Sequence, residues 1–70
     1  MDPRYLRDLL ETISGCYAAD GPMELSSQDS RDVRDHLAGW ISLGYPVTEV
    51  WATASRVFED FGGVVLREPS

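Results

Sequence analysis

The residues of this chain best suited to chemistry gather in one short run: Asp29, Asp32, Asp35 and His36. Asp29, Asp32 and His36 recur at i, i+3 and i+7, roughly one face of a helix, and carboxylate oxygens are the ligands that a hard divalent cation takes. Such a site needs more oxygen donors than these, and the interleaved Arg31 and Arg34 bring positive charge instead. The run therefore reads as a solvated helix face, with aspartate favoured near the positive end of the helix dipole. Cys16 stands between Gly15 and Tyr17 with no basic neighbour to lower its pKa, so it reads as a small packed side chain and not a nucleophile. A single histidine and no strained nucleophile turn do not assemble a hydrolase. No catalytic site, metal site or cofactor is expected.

The bulk properties narrow the partners. Seventy residues make one small domain, whose lone core supplies only ~3–5 kcal/mol. With one cysteine there is no internal disulfide, which leaves helix packing, self-association or a partner chain as the source of further stability. The formal charge of −6 lacks the basic stripe that nucleic acid or an anionic membrane requires, and suits a basic protein partner. No run approaches the ~20 apolar residues of a membrane span, and the first residues carry no apolar signal core. An unpaired cysteine agrees with a reducing compartment, so a cytoplasmic location is expected.

Three helices are expected to position these residues, about 3–14, 27–43 and 48–61, with an extended segment at 64–67. Asp2-Pro3 starts the first, whose apolar residues Leu6, Leu9, Leu10 and Ile13 keep helical spacing. Arg4–Asp8 and Arg7–Glu11 can pair on its outer side. Gly15 marks its stop, and Asp20-Gly21-Pro22 a turn. Met23 to Leu25 is short and extended. Ser26 to Asp29 has the form of a capping box, followed by Val33, Leu37, Trp40 and Ile41 on one face. Gly39 in that helix suggests the close approach of another. Thr48 is expected to cap the third helix, whose inward face is Val50, Trp51, Ala54, Val57, Phe58 and Phe61 and whose C-terminus is capped by Gly62-Gly63. Val64 to Leu66 can be a strand only with a partner strand. The fold expected is all-α, a small three-helix bundle with a short C-terminal extended segment, the third helix central. Tyr17 and Tyr45 fall at loops, where an aromatic ring either plugs a helix end or anchors a partner.

Two resemblances bear on function. Leu9-Leu10 leading to Gly15-Cys16-Tyr17, then Ile41-Ser42-Leu43-Gly44-Tyr45, then Val57-Phe58-Glu59-Asp60-Phe61-Gly62-Gly63-Val64 together resemble the third subfamily of the SUKH superfamily of bacterial immunity proteins. The family tends to have Trp where Cys16 stands and Leu where Val64 stands. It continues past the glycine pair with a β-sheet, so the likeness covers its N-terminal helical part. It implies a protein that neutralises a toxin by binding, without cofactor or reaction. Separately, Asp29-Ser30 is similar to the phosphopantetheine attachment point of acyl carrier proteins, although Arg31 follows where that family has an apolar residue.

The expected function is thus a non-catalytic acidic binding protein that occludes a toxin or another basic effector. Contacts are expected through Asp29, Asp32, Asp35, Glu59 and Asp60, with Tyr45 as the aromatic anchor. A small acidic inhibitor of a nucleic-acid enzyme, an acyl carrier modified at Ser30, and a homo-oligomeric structural domain stand as alternatives.

Overall fold

The computed structural model describes residues 1–15 and 21–68. Its elements in chain order are α1 (Pro3–Ser14), β1 (Met23–Glu24), α2 (Ser27–Ser42), α3 (Val47–Asp60) and β2 (Val64–Val65). It is mostly α-helical, a compact three-helix arrangement with a two-stranded sheet.

Local chemistry sets the helix ends. Asp2 accepts from the Arg4 backbone N–H and Pro3 occupies the first helical position, so α1 begins where one orphan donor is satisfied and another is missing. Ser26 caps α2 by accepting from the Asp29 N–H at 3.1 Å. Both α2 and α3 finish in the same hydrogen-bond pattern. The Gly44 and Tyr45 N–H groups donate to the Ile41 and Trp40 carbonyls, and the Gly62 and Gly63 N–H groups donate to those of Glu59 and Phe58. This is the Schellman arrangement, which needs a left-handed residue just past the helix; Gly44 at φ 102° and Gly62 at φ 78° supply it.

α3 starts differently from expectation. Pro46, extended at φ −60° and ψ 138°, takes the capping position and makes no side-chain cap bond, so Thr48 lies inside the helix and is not its cap. The Val50 N–H reaches the Pro46 carbonyl and closes the first turn. At the end of α1 the C-cap is Gly15, which keeps a helical φ of −62°.

The core comprises Leu6, Leu10 and Ile13 of α1, Val33, Leu37 and Trp40 of α2, and Val50, Ala54 and Val57 of α3, closed over by Met23 and Leu25. Burying one large apolar side chain contributes ~1.5–3 kcal/mol, so α1 and α2 are each held by three such contacts, and α3 by two with Ala54 between them. Met23 pairs with Val64 and Glu24 with Val65 in parallel, which answers the need of the Val64 segment for a partner strand. The first turn of α2 and the chain after β2 are tied further by Ser30, whose buried hydroxyl accepts from the Arg67 N–H at 2.8 Å.

These ties fix the directions of the helices. The Met1 amino group donates to the Tyr45 hydroxyl, so α1 begins beside the α2–α3 corner. Arg7 of α1 pairs with Asp60, and Ser14 lies in the same cleft as Phe61 and Gly62. α1 and α3 therefore run the same way, and α2 returns between them. No helix among the described residues is long and apolar enough to cross a membrane.

Several local expectations change. Trp51 is 40% exposed and is not a core residue. Gly39 lies on the surface with open space where a Cβ would stand, so no helix approaches it. Arg4 pairs with Asp2 and not Asp8, because the capping carboxylate sits beside the guanidinium, and Arg7 pairs across to Asp60 and not along α1 to Glu11. The Gly15-Cys16-Tyr17 segment and Asp20 fall, in whole or part, outside the described residues.

Candidate functional site

The parallel run of α1 and α3 gives the molecule two unlike ends. At one end the C-termini of α1 and α3, each without a basic residue in its last turn, bring their partial negative charge together. Glu59 and Asp60 are exposed there. Asp29 and Asp32, from the first two turns of α2, join them, with Glu24 on β1 and Glu68 past β2. Arg31, Arg56 and Arg67 share this end and reduce its negative charge without cancelling it.

The expected contact residues thus divide. Asp29 and Asp32 from the start of α2 and Glu59 and Asp60 from the end of α3 reach the same end, because the short turn between these helices makes them antiparallel. Asp29 is half-buried in the first turn of α2, while Asp32 and Asp35 are exposed along its outward side. Asp35 stands midway along α2 and extends the acidic surface. Tyr45 does not join them: it lies at the opposite end, half-buried against the core, with its hydroxyl held by the Met1 amino group. It plugs the corner between α2 and α3. Asp60 is engaged by Arg7, with both side chains about half exposed, a pairing worth ~0.2–1 kcal/mol in such a setting.

An open cleft of about 400 Å³ lies at the acidic end between Ser14, Gly21, Met23, Asp60, Phe61 and Gly62. Among the described residues its one carboxylate is the Arg7 partner, and they offer no prepared nucleophile, base or ligand set. Among the described residues no three His, Cys, Asp or Glu side chains converge to hold a metal ion. Asp2 is the carboxylate held below its usual pKa, by the Arg4 guanidinium hydrogen bond first and the Arg4 backbone N–H second, and it serves as a helix cap. The acyl-carrier reading of Ser30 is overturned here: the side chain is 1% exposed and its oxygen is spent on the Arg67 N–H, so no prosthetic arm can reach it.

The opposite end carries residues that the spacing rules pointed inward or passed over. At 100° per residue the apolar arc of α3 is wider than its neighbours cover. Val50, Ala54 and Val57 take the buried side of the arc, and Val47, Trp51 and the half-buried Phe58 take the other. Leu43, at the end of α2, is exposed beside them in sequence. One signal was available beforehand: from Leu37 to Thr48 the chain has no Asp, Glu, Lys or Arg.

Comparison with family models, curated proteins and solved structures finds no match to this chain.

Proposed function

We propose that this chain is a non-catalytic binding protein whose acidic end docks on a basic protein surface and occludes it, as the resemblance to immunity proteins implies. The observation that carries the reading is the gathering of Asp29, Asp32, Glu59 and Asp60 at the end where the negative poles of α1 and α3 also meet. The positive pole of α2 lies at the same end and offsets one of the two negative poles, so the carboxylates supply most of the field. Charge of one sign raises the rate at which an oppositely charged partner is met, and rejects partners of like charge. A toxin with a basic surface is the partner class this favours. Tyr45 has no part in that contact. A cytoplasmic setting suits the lone Cys16.

The test compares two tagged forms of the chain as bait in lysate of the source organism: the natural chain and one carrying Asp32→Asn and Glu59→Gln. The expected result is a stoichiometric complex with one basic protein, whose retention falls ~10-fold in the double variant and falls again between about 50 and 500 mM salt. Equal capture by both forms, insensitive to salt, would remove the acidic end as the binding surface.

A further inference from the structure

We infer that the other end of the molecule is a self-association surface, on which two copies of this chain meet through Leu43, Val47 and Trp51 with Tyr5 at the margin. The inference uses none of the residues of the acidic-end contact, and only the choice of occupant draws on the charge of that end. Five large apolar side chains are exposed among the described residues: Leu43 at 76%, Tyr5 at 65%, Val47 at 52%, Val65 at 49% and Trp51 at 40%. All but Val65 belong to the end where α1 and α3 begin and α2 stops. Val47 and Trp51 are one helical turn apart and therefore neighbours. Leu43 leads into them through the Gly44 turn, and Tyr5 comes from the first turn of α1, whose start the Met1–Tyr45 hydrogen bond ties to this corner.

Three considerations select a second copy as the occupant. The first is charge. The corner from Leu37 to Thr48 is uncharged in a chain that is 26% charged; around it Asp2 and Arg4 pair with each other and the Met1 ammonium is held by the Tyr45 hydroxyl, leaving Glu49 in the first turn of α3. A basic partner finds a single carboxylate, Glu49, here and several at the far end, whereas an identical apolar surface is complementary to itself in a two-fold contact. The second is distance. The 14 residues of α3 put ~20 Å between the two ends, more than twice the ~8 Å screening length at physiological salt, so two copies joined at their apolar ends keep Asp29, Asp32, Glu59 and Asp60 out of range of each other. The third is area. From those exposures the four side chains offer on the order of 500 Å², the upper range for a patch on a monomer, toward the ~800 Å² per partner of a standard interface. Pro46, exposed between Leu43 and Val47, adds to the rim. A chain with so small a core gains from covering this surface.

The experiment is sedimentation velocity on the natural chain from about 1 to 500 µM, with tryptophan emission read over the same series and circular dichroism of every variant. A concentration-dependent dimer is expected, with emission moving to the blue as Trp51 is covered. Leu43→Glu, at the most exposed of the four positions, is expected to weaken the dimer at least ~10-fold with the helical signal intact, while Val65→Glu at the far end leaves it unchanged. Monomer throughout the range overturns the inference. So does a dimer that forms with no change in tryptophan emission, which remains readable on the natural chain if Leu43→Glu fails to fold. Blue-shifted emission of a monomer on adding phosphatidylcholine vesicles would assign the surface to lipid and equally overturn it.

Discussion

His36 shows how much one side chain can cost where its polar atom has nowhere to go. It is half-buried on α2, its ring edge-on to Trp40 with centroids 4.8 Å apart, and its Nε2 is buried without a hydrogen-bond partner among the described residues. Burial disfavours the charged ring and lowers its pKa from the ordinary 6.5. The unfolded chain then binds the proton more readily than the folded one, so the contribution is fully present above about pH 6.5 and is lost as pH falls toward the lowered folded value. The urea midpoint is expected to drop between pH 7.5 and 5.5 in the natural chain and to drop less in His36→Gln. Parallel slopes in the two would show that His36 is not the titrating group. Asp2, whose pKa is lowered, acts only in the acid range below this window. None of this was readable beforehand. The run Asp29, Asp32, Asp35, His36 looks like one polar face on paper, and only packing against Trp40 separates the imidazole from the exposed carboxylates around it.

At the scale of elements, the glycines divide by what their backbones do. Gly39 lies within α2 on the surface, with open space where a Cβ would go. Gly39→Ala is expected to raise stability by ~0.5–1 kcal/mol, because alanine loses less backbone freedom on entering a helix. Gly62 stands at φ 78°, and a Cβ there would come within 3.3 Å of the Gly21 carbonyl oxygen. Gly62→Ala is expected to lower stability by ~1–3 kcal/mol through strain in the cap and in the approach of the Gly21 loop. Thermal or urea denaturation of the pair checks both signs, and a loss in Gly39→Ala would mean that α2 is packed where it is described as open. Leu43-Gly44-Tyr45 and Phe61-Gly62-Gly63 were legible as helix ends because a left-handed residue is a local demand. Gly39 was misjudged as a helix contact because the cost of a mid-helix glycine says nothing of what, if anything, lies opposite. The exposed position of Trp51 escaped for a related reason. Periodicity reports the width of an apolar arc, and how much of it neighbouring helices cover depends on their number and placement.

At the scale of the whole molecule, the chain carries a charge of −6, and the ion pairs Arg4–Asp2 and Arg7–Asp60 both lie at the surface. Repulsion among the carboxylates should outweigh what those pairs contribute. Raising sodium chloride from about 10 to 500 mM is therefore expected to raise Tm, since screening relieves the repulsion more than it weakens the pairs. A fall in Tm over that range would show that attractive pairs dominate and that the acidic end is better compensated than its residues indicate.

The sequence by itself determined the three helices, their ends at Gly44 and Gly62, the core positions repeated three and four residues apart, and the sign of the charge. All of these follow from demands that a residue and its near neighbours satisfy among themselves: a cap, a left-handed turn, an amphipathic stripe. Tertiary structure alone decided that α1 and α3 run in the same direction. That sets the Ser14 end of α1 beside Phe61, while the short turn from Leu43 to Pro46 makes α2 and α3 antiparallel, which brings Asp29 and Asp32 to the end of Glu59 and Asp60 and leaves Tyr45 at the other. Further long-range contacts pair Met23 with Val64 and hold the Ser30 hydroxyl on the Arg67 N–H. Direction is set by which faces meet across the core, and those contacts join residues too far apart in the chain for any local pattern to record.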